Sequence, residues 1–293
     1  MKEALLKMHF AVFLWGFTGV LGRVIELQAF PLVLYRMLLS AICFFIILYF
    51  QKKLIPISRK EIIRFSVIGS VIAIHWCCFY GSIKFANASI ALVCLSTAGI
   101  FTAIIEPLVM KTKFEPKQLT TGFIALLGMY FIYKFEFEYA TGIILGIIAA
   151  LLSTIFTIMN KKIINHYEAK NVAFYEIGFG FLFLLLLLPL YQNYFPTVSF
   201  APTLNDWFWL FILSFFCTVL GQSFALEALK KISSFTAVLL VNLEPVYGII
   251  LAILIYKENK ELGWGFVLGI LLIAFSVFVH SWQMANERKS KKS

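Results

Sequence analysis

Ten long runs of nearly continuous apolar residues constrain the fold of this chain more than any other feature. A hydrocarbon core about 30 Å thick is crossed by roughly 17 to 25 helical residues. The runs are too long and too apolar for the alternating strands of an outer-membrane barrel, so the backbone must satisfy its hydrogen bonds within helices. We therefore expect an all-α membrane protein, embedded in the lipid bilayer, with ten transmembrane helices. The predicted spans are residues 4–22, 30–50, 65–83, 88–110, 119–135, 142–160, 172–191, 205–226, 235–256 and 262–282.

The basic residues lie in the short connections between these spans and indicate how the chain is inserted. The net charge is +10, but the positive residues are not gathered on one face, so we expect no nucleic-acid partner. With the N-terminus inside, the inner connections hold 19 Lys and Arg and the outer ones hold 5. This bias predicts that both termini are cytoplasmic, with a basic C-terminal tail. We expect a multi-pass protein of the bacterial inner (plasma) membrane, and we interpret the first span as a retained helix rather than a cleaved signal.

The two halves of the chain are weakly similar to each other. Residues 82–99 can be aligned with 228–245, and residues 113–122 with 256–265, so that Lys84 falls on Lys230. Each half carries five spans, an odd number, and the second half therefore enters the membrane upside down. We predict one five-helix repeat at residues 1–138 and an inverted one at 139–293, with a substrate site between them near the middle of the bilayer.

Three stretches give this chain a resemblance to a known family. They are "LWGFTGVLGR", "FPLVLYRMLLSA" and "ALKKISSFTAVLLVNLEPVYGIILAILIYKE". The organisation resembles the drug/metabolite transporter superfamily, specifically its EamA-like members. The resemblance implies ten helices in two inverted halves and the export of small metabolites such as amino acids. The chain departs from the family pattern in the fourth span, where Gly99 replaces the expected proline and Glu106-Pro107 appears lower down.

The sequence "VNLEPVYG" places Glu244 and Pro245 at the centre of the ninth span. An ionised carboxylate at that depth costs a few kcal/mol, and proline leaves the carbonyl four residues earlier without its donor. One interpretation is that Glu244 faces a polar cavity and binds a cation or carries a proton. The alternative is that a protonated Glu244 bonds a neighbouring helix. Pro245, Gly99 and Pro107 are the predicted hinge or gate positions.

Arg36 and Glu176 occupy matching places in the two repeats. Arg36 lies near the outer end of the second span and Glu176 near the inner end of the seventh, so their backbones are separated by more than about 10 Å along the membrane normal. We expect each residue to serve its own mouth of the pathway and to bind substrate there. Snorkelling of each side chain to the nearer interface is the alternative.

Other polar and aromatic side chains complete the predicted substrate site. His75 lies near the middle of the third span. Trp76 is its neighbour in the chain, and Tyr80 follows Trp76 by four residues, which is one helical turn. Gln222 aligns with Trp76 in the repeat. Glu106 is expected to pair with a lysine such as Lys111 rather than take part in transport. The predicted substrate-binding residues are Trp15, Arg36, His75, Trp76, Tyr80, Glu176, Gln222, Glu244 and Tyr247.

These features favour a secondary transporter that exports a small polar or zwitterionic metabolite by alternating access. We expect no cofactor and no metal, protons as a candidate coupling ion, and a monomer or homodimer. Export of cationic or aromatic drug-like compounds is the first alternative, and a channel is another. An intramembrane enzyme is a remote one, because only His75 of the four histidines lies at depth and neither H-E-x-x-H nor G-x-S-x-G is present.

Overall fold

The computed structural model describes residues 1–132, 139–244, 246–247 and 264–290, and this part of the chain contains helices and no strands. Pro245 and the ends of three predicted spans, at 133–135, 248–256 and 262–263, lie outside the described residues, as does the end of the first predicted repeat. The helices are α1 (Lys2–Val24), α2 (Ala29–Phe50), α3 (Arg59–Phe85), α4 (Ala88–Ser96), α5 (Ala98–Met110), α6 (Pro116–Ile132), α7 (Ala140–Ile163), α8 (Ala169–Tyr194), α9 (Leu204–Ile212), α10 (Gly221–Leu229), α11 (Ser234–Val241) and α12 (Trp264–Ser290).

Six stretches of the described chain are long and apolar enough to cross a membrane. They are Ala29–Phe50, Arg59–Phe85, Ile90–Met110, Ala140–His166, Ala169–Tyr194 and Leu204–Leu229. The all-helical membrane fold expected from the apolar runs is confirmed at this level. The count of ten spans and the inverted arrangement of the two halves stay predictions.

The helix predicted at residues 88–110 is broken into α4 and α5 at Thr97. The hydroxyl of Ser96 donates to the Val93 carbonyl, and that of Thr97 donates to the Cys94 carbonyl. Hydroxyls that bond the preceding turn compete with the helical ladder and bend helices. The break therefore precedes the predicted hinge at Gly99 by two residues. Gly99 itself packs on Gly122 and lets α5 approach α6.

Pro107, the second predicted hinge, lies inside α5 without ending it. It is one turn from the end of the helix, which closes at Lys111 in the left-handed conformation, with the Thr112 N–H bonded to the Pro107 carbonyl. Its neighbour Glu106 does not pair with Lys111, and that prediction is wrong. The Glu106 carboxylate accepts the backbone N–H groups of Ser234 and Phe235, both at 2.9 Å. It thus caps the first turn of α11, whose N–H groups lack helical partners.

The span predicted at residues 205–226 contains a π-helical stretch, Leu213–Leu220, between α9 and α10. π-Helical turns are rare and occur mostly at functional sites. Here the Cys217 carbonyl is available to a side chain from α1 and accepts the Trp15 Nε1–H at 2.8 Å. Gly221 follows directly, and Trp15 lies against it where a larger residue would collide with the indole.

Two side chains form hydrogen bonds with the backbone of the α1–α2 connection, at the end of the bundle where α1 ends. Lys84 Nζ donates to the Ile25 carbonyl at 2.9 Å, and the Glu26 N–H donates to Asp206 Oδ1 at 2.9 Å. The other oxygen of Asp206 accepts from the N–H and hydroxyl of Thr203. Asp206 is buried and, together with Thr203, forms a capping box at the start of α9. The two halves of the chain are therefore joined at this end through Asp206.

We predict that Asp206→Asn destabilises the protein, because an amide can no longer accept on both sides. A buried donor left without an acceptor costs about 1–3 kcal/mol, so the Tm of the detergent-purified protein should fall by several degrees. Asn205→Ala is the matched control, since Asn205 is exposed in the same turn and bonds only Trp209. Equal Tm values for the two variants would show that Asp206 does not hold this end together.

Candidate functional site

The candidate site is a cavity of about 110 Å³ between helices from both halves of the chain. Residues up to Leu95 supply eight of its lining residues and residues from Ser153 onward supply twelve. The polar members of the lining are Trp15, Thr18, Arg36, His75, Trp76, Ser153, Thr157, Asn160, Gln222 and Glu244. Neither half alone would form the cavity.

Arg36 of α2 supplies the positive charge of the cavity. Its Nε donates to the Thr218 hydroxyl at 2.8 Å, and its Nη1 donates to the Tyr80 hydroxyl at 2.9 Å. The guanidinium carbon lies 3.9 Å from the centre of the Trp76 ring, in cation–π geometry. Only 3% of Arg36 is exposed, so it does not snorkel. Among the described residues no ion pair neutralises it.

Glu244, three residues after the end of α11, supplies a carboxyl group to the cavity. Helix α11 stops at Val241, and Asn242 and Leu243 form a turn before it, so the interruption begins ahead of Pro245. Oε1 of Glu244 accepts the Thr18 hydroxyl at 3.0 Å. The residue is 5% exposed and lines the cavity. Its second carboxylate oxygen has no protein donor in the hydrogen bonds of the described residues and can accept one from a ligand.

His75 and Gln222 also line the cavity. The His75 Nδ1 lies 2.7 Å from the Ala149 carbonyl, so it carries the hydrogen when the ring is neutral, which leaves Nε2 as an acceptor. Phe79 and Phe156 flank the ring with centroids 6.4 and 5.3 Å away. Gln222 comes from α10, on the turn after the π-helical stretch. The rings of Phe79 and Phe156 thus line the cavity beside the polar groups.

Three of the nine predicted substrate-binding residues do not line the cavity. Tyr80 is fully buried behind Arg36 and packs against Gly22. The hydroxyl of Tyr247 lies 3.2 Å from Nδ1 of His9. Glu176 is fully buried on α8 and accepts from Asn160 Nδ2 at 3.2 Å. No ion pair joins Glu176 to Arg36 in the described part of the chain. Their difference in depth stays a prediction.

Sequence reasoning missed four polar residues of the lining: Thr18, Ser153, Thr157 and Asn160. Thr18 lies one turn after Trp15, inside the stretch "LWGFTGVLGR" that carries the family resemblance. The other three lie on one face of α7, at spacings of four and three residues, which is a helical stripe that a search for polar periodicity would detect.

Comparison with known proteins agrees with the all-helical membrane fold. The chain matches the EamA-like transporter family over residues 3–134 and 140–282. It is 23% identical over 256 residues to an uncharacterized transporter of Archaeoglobus fulgidus, covering 85% of this chain and 86% of that protein. It is 24% identical over 289 residues to the uncharacterized transporter YetK of Bacillus subtilis, covering 94% and 86%.

A solved crystal structure is similar to nearly the whole molecule. The TM-score is 0.77, and the match covers 97% of this chain and 98% of that chain at 13% sequence identity. At this identity the likeness bears on the fold alone. The family match, by contrast, extends over most of the sequence and both of its halves. The chain therefore belongs to the EamA-like transporter family and is a multi-pass membrane permease of the drug/metabolite transporter type.

Proposed function

We propose that this protein is a secondary transporter that moves a small zwitterionic metabolite, such as an amino acid, outward by alternating access. The observation that carries the proposal is that the Arg36 guanidinium and the Glu244 carboxyl are both buried in one cavity lined by both halves of the chain. In this proposal Glu244 is ionised. Buried charges are costly unless they are paired or bind a ligand. Neither has an ionic partner among the described residues.

In this proposal the two charges receive the two ends of the solute. The ammonium group approaches the free oxygen of Glu244, and the carboxylate approaches the part of the Arg36 guanidinium that Thr218 and Tyr80 do not occupy. A guanidinium presents several donors in a plane that fits a carboxylate. The apolar part of the solute would pack on Phe79 and Phe156.

The position of the cavity supports alternating access. Its lining extends from Arg36 and Glu244 toward Met8 and Leu229, at the end of the bundle where α1 begins. At the other end, Lys84 and Asp206 fasten the α1–α2 connection. We propose that the two inverted five-helix repeats, residues 1–138 and 139–293, rock against each other and expose the site to each side in turn. In this proposal both termini lie in the cytoplasm of the bacterial inner membrane, and the end of the cavity lining at Met8 and Leu229 faces inward.

The second candidate is an exporter of cationic aromatic compounds. This candidate is favoured by the aromatic residues and the carboxyl group that line the cavity, namely Trp15, Trp76, Phe79, Phe156 and Glu244. The two candidates differ at Arg36, which the zwitterion requires and the cationic compound does not.

A ligand screen tests the proposal. Detergent-purified protein is mixed with amino acids, nucleosides, amines and aromatic cations, and each ligand that raises the Tm is then followed as a labelled solute in proteoliposomes. Saturable uptake that is accelerated by unlabelled solute on the far side identifies a carrier, because a channel shows no counter-transport. Product formation without net movement would instead reveal an enzyme and contradict the proposal.

We predict that Glu244→Gln lowers the affinity for the transported zwitterion by at least about tenfold, since hydrogen bonds to charged groups are worth roughly 1.5–3 kcal/mol. The protein should remain folded, because the glutamine oxygen can still accept the Thr18 hydroxyl. Binding is measured by titration of the purified protein. Glu115→Gln, on an exposed turn, is the control. Equal affinities for the two variants would remove Glu244 from the site.

We predict that Arg36→Lys also lowers the affinity for the zwitterion by about tenfold or more, although the positive charge is kept. An ammonium group cannot bond Thr218 and Tyr80 while stacking on Trp76 and offering a planar pair of donors. Titration of the variant against the exposed control Arg59→Lys gives the comparison. If Arg36→Lys binds the zwitterion as tightly as the unchanged protein, the assigned role is contradicted. It is also contradicted if the variant loses as much affinity for an aromatic cation that has no carboxylate.

A further inference from the structure

Glu176 and Asn160 form a buried pair directly behind the cavity. Asn160 lies on α7 and lines the cavity, whereas Glu176 lies on α8 and is fully enclosed. Asn160 Nδ2 donates to Glu176 Oε2 at 3.2 Å. The remaining two side-chain oxygens of the pair, Asn160 Oδ1 and Glu176 Oε1, are buried and have no hydrogen-bond partner in the described structure.

Both unsatisfied atoms are acceptors when Glu176 is ionised. A buried carboxylate requires several donors or a cation, and one neutral amide does not meet that need. A single proton on Oε1 removes this excess of acceptors, because the carboxyl O–H can then donate to Asn160 Oδ1. The acid and the amide would form two reciprocal hydrogen bonds, and both unsatisfied atoms would be accounted for.

The surroundings of Glu176 supply no competing charge. The helices packed against α8, together with α7, carry acidic and basic side chains at Arg36, Arg59, Lys60, Glu61, Arg64, His75, Lys84, Lys161, Lys162 and Glu227. No hydrogen bond or ion pair of the described residues joins any of them to the Glu176 carboxyl. On the α3 side the backbones touch, since a Cβ on Gly69 would overlap the Glu176 carbonyl. Asn160 is thus the group that separates the carboxyl from the cavity.

We propose that Glu176 is the proton-binding site of the transport cycle, distinct from the substrate site at Arg36 and Glu244. This inference rests on the proposed transport function. A proton from cavity water binds Glu176 Oε1, and the new O–H bond donates to Asn160 Oδ1, which closes the carboxyl off from water. When Asn160 turns toward the cavity, the O–H bond breaks and the proton returns to water there. Release on the side opposite to uptake couples proton movement to solute movement.

Infrared spectroscopy tests the proton site without any substrate. Wild-type protein in membrane films should show the carbonyl band of a protonated carboxyl, and the intensity of this band should fall as the pH is raised from about 5 to about 9. The band should vanish in Glu176→Gln and shift in Asn160→Leu, which removes the reciprocal partner. Glu106→Gln, at a buried carboxyl that already accepts two backbone N–H groups, should leave it in place. A band that is absent, or that stays constant across this pH range, would overturn the proposal.

Proteoliposomes test the coupling with a mixture of isotope-labelled amino acids as the probe. An imposed pH gradient should make wild-type protein concentrate at least one of them by about tenfold, the ratio that one proton per solute gives for a gradient of one pH unit. Glu176→Gln should lose this accumulation and continue counterflow exchange. Loss of both activities in a folded variant would show a structural role and overturn the inference. If wild-type protein moves no amino acid, the proposed substrate class fails, and the infrared band still decides whether Glu176 takes up a proton.

Discussion

Charged groups inside a helical bundle must be held by other polar groups or be reached by water, and this constraint organises the centre of the molecule. Arg36 meets it through the Thr218 and Tyr80 hydroxyls and the face of Trp76. Glu244 meets it through Thr18 and the cavity. The two ionisable residues and these partners come from five different segments. The relative positions of those five segments are therefore tied together by polar contacts, and an apolar core alone would not fix them.

Interruptions of the helices occur where these polar groups are needed. The π-helical stretch Leu213–Leu220 carries Thr218 to Arg36 and presents the Cys217 carbonyl to Trp15. The turn after α11 brings Glu244 to the cavity. A regular helix would bond its own carbonyls and have none to offer. Irregular backbone at membrane depth is tolerated where it is buried in protein or lines a cavity, and both conditions hold here.

The apolar runs predicted the helices well, because burial in lipid acts on every residue of a span. The break at Ser96 and Thr97 and the π-helical stretch were not predicted, since their residues hardly interrupt the apolar pattern. Arg36, His75 and Glu244 were found because an ionisable residue within a span is rare and costly. Asn160 was missed because it adjoins Lys161 and reads as the start of a connection. Glu106 was assigned a sequence neighbour, although its partners at Ser234 and Phe235 are distant in the chain.

Three buried glutamates of the described residues differ in their donors, and this difference separates their roles. Glu106 accepts two backbone N–H groups at a helix start, where the helix dipole favours negative charge. Glu244 has one hydroxyl donor and an open oxygen toward the cavity. Glu176 has one amide donor and no open side. A fixed structural anion, a ligand-binding anion and a proton acceptor are the states that these three sets of partners stabilise best.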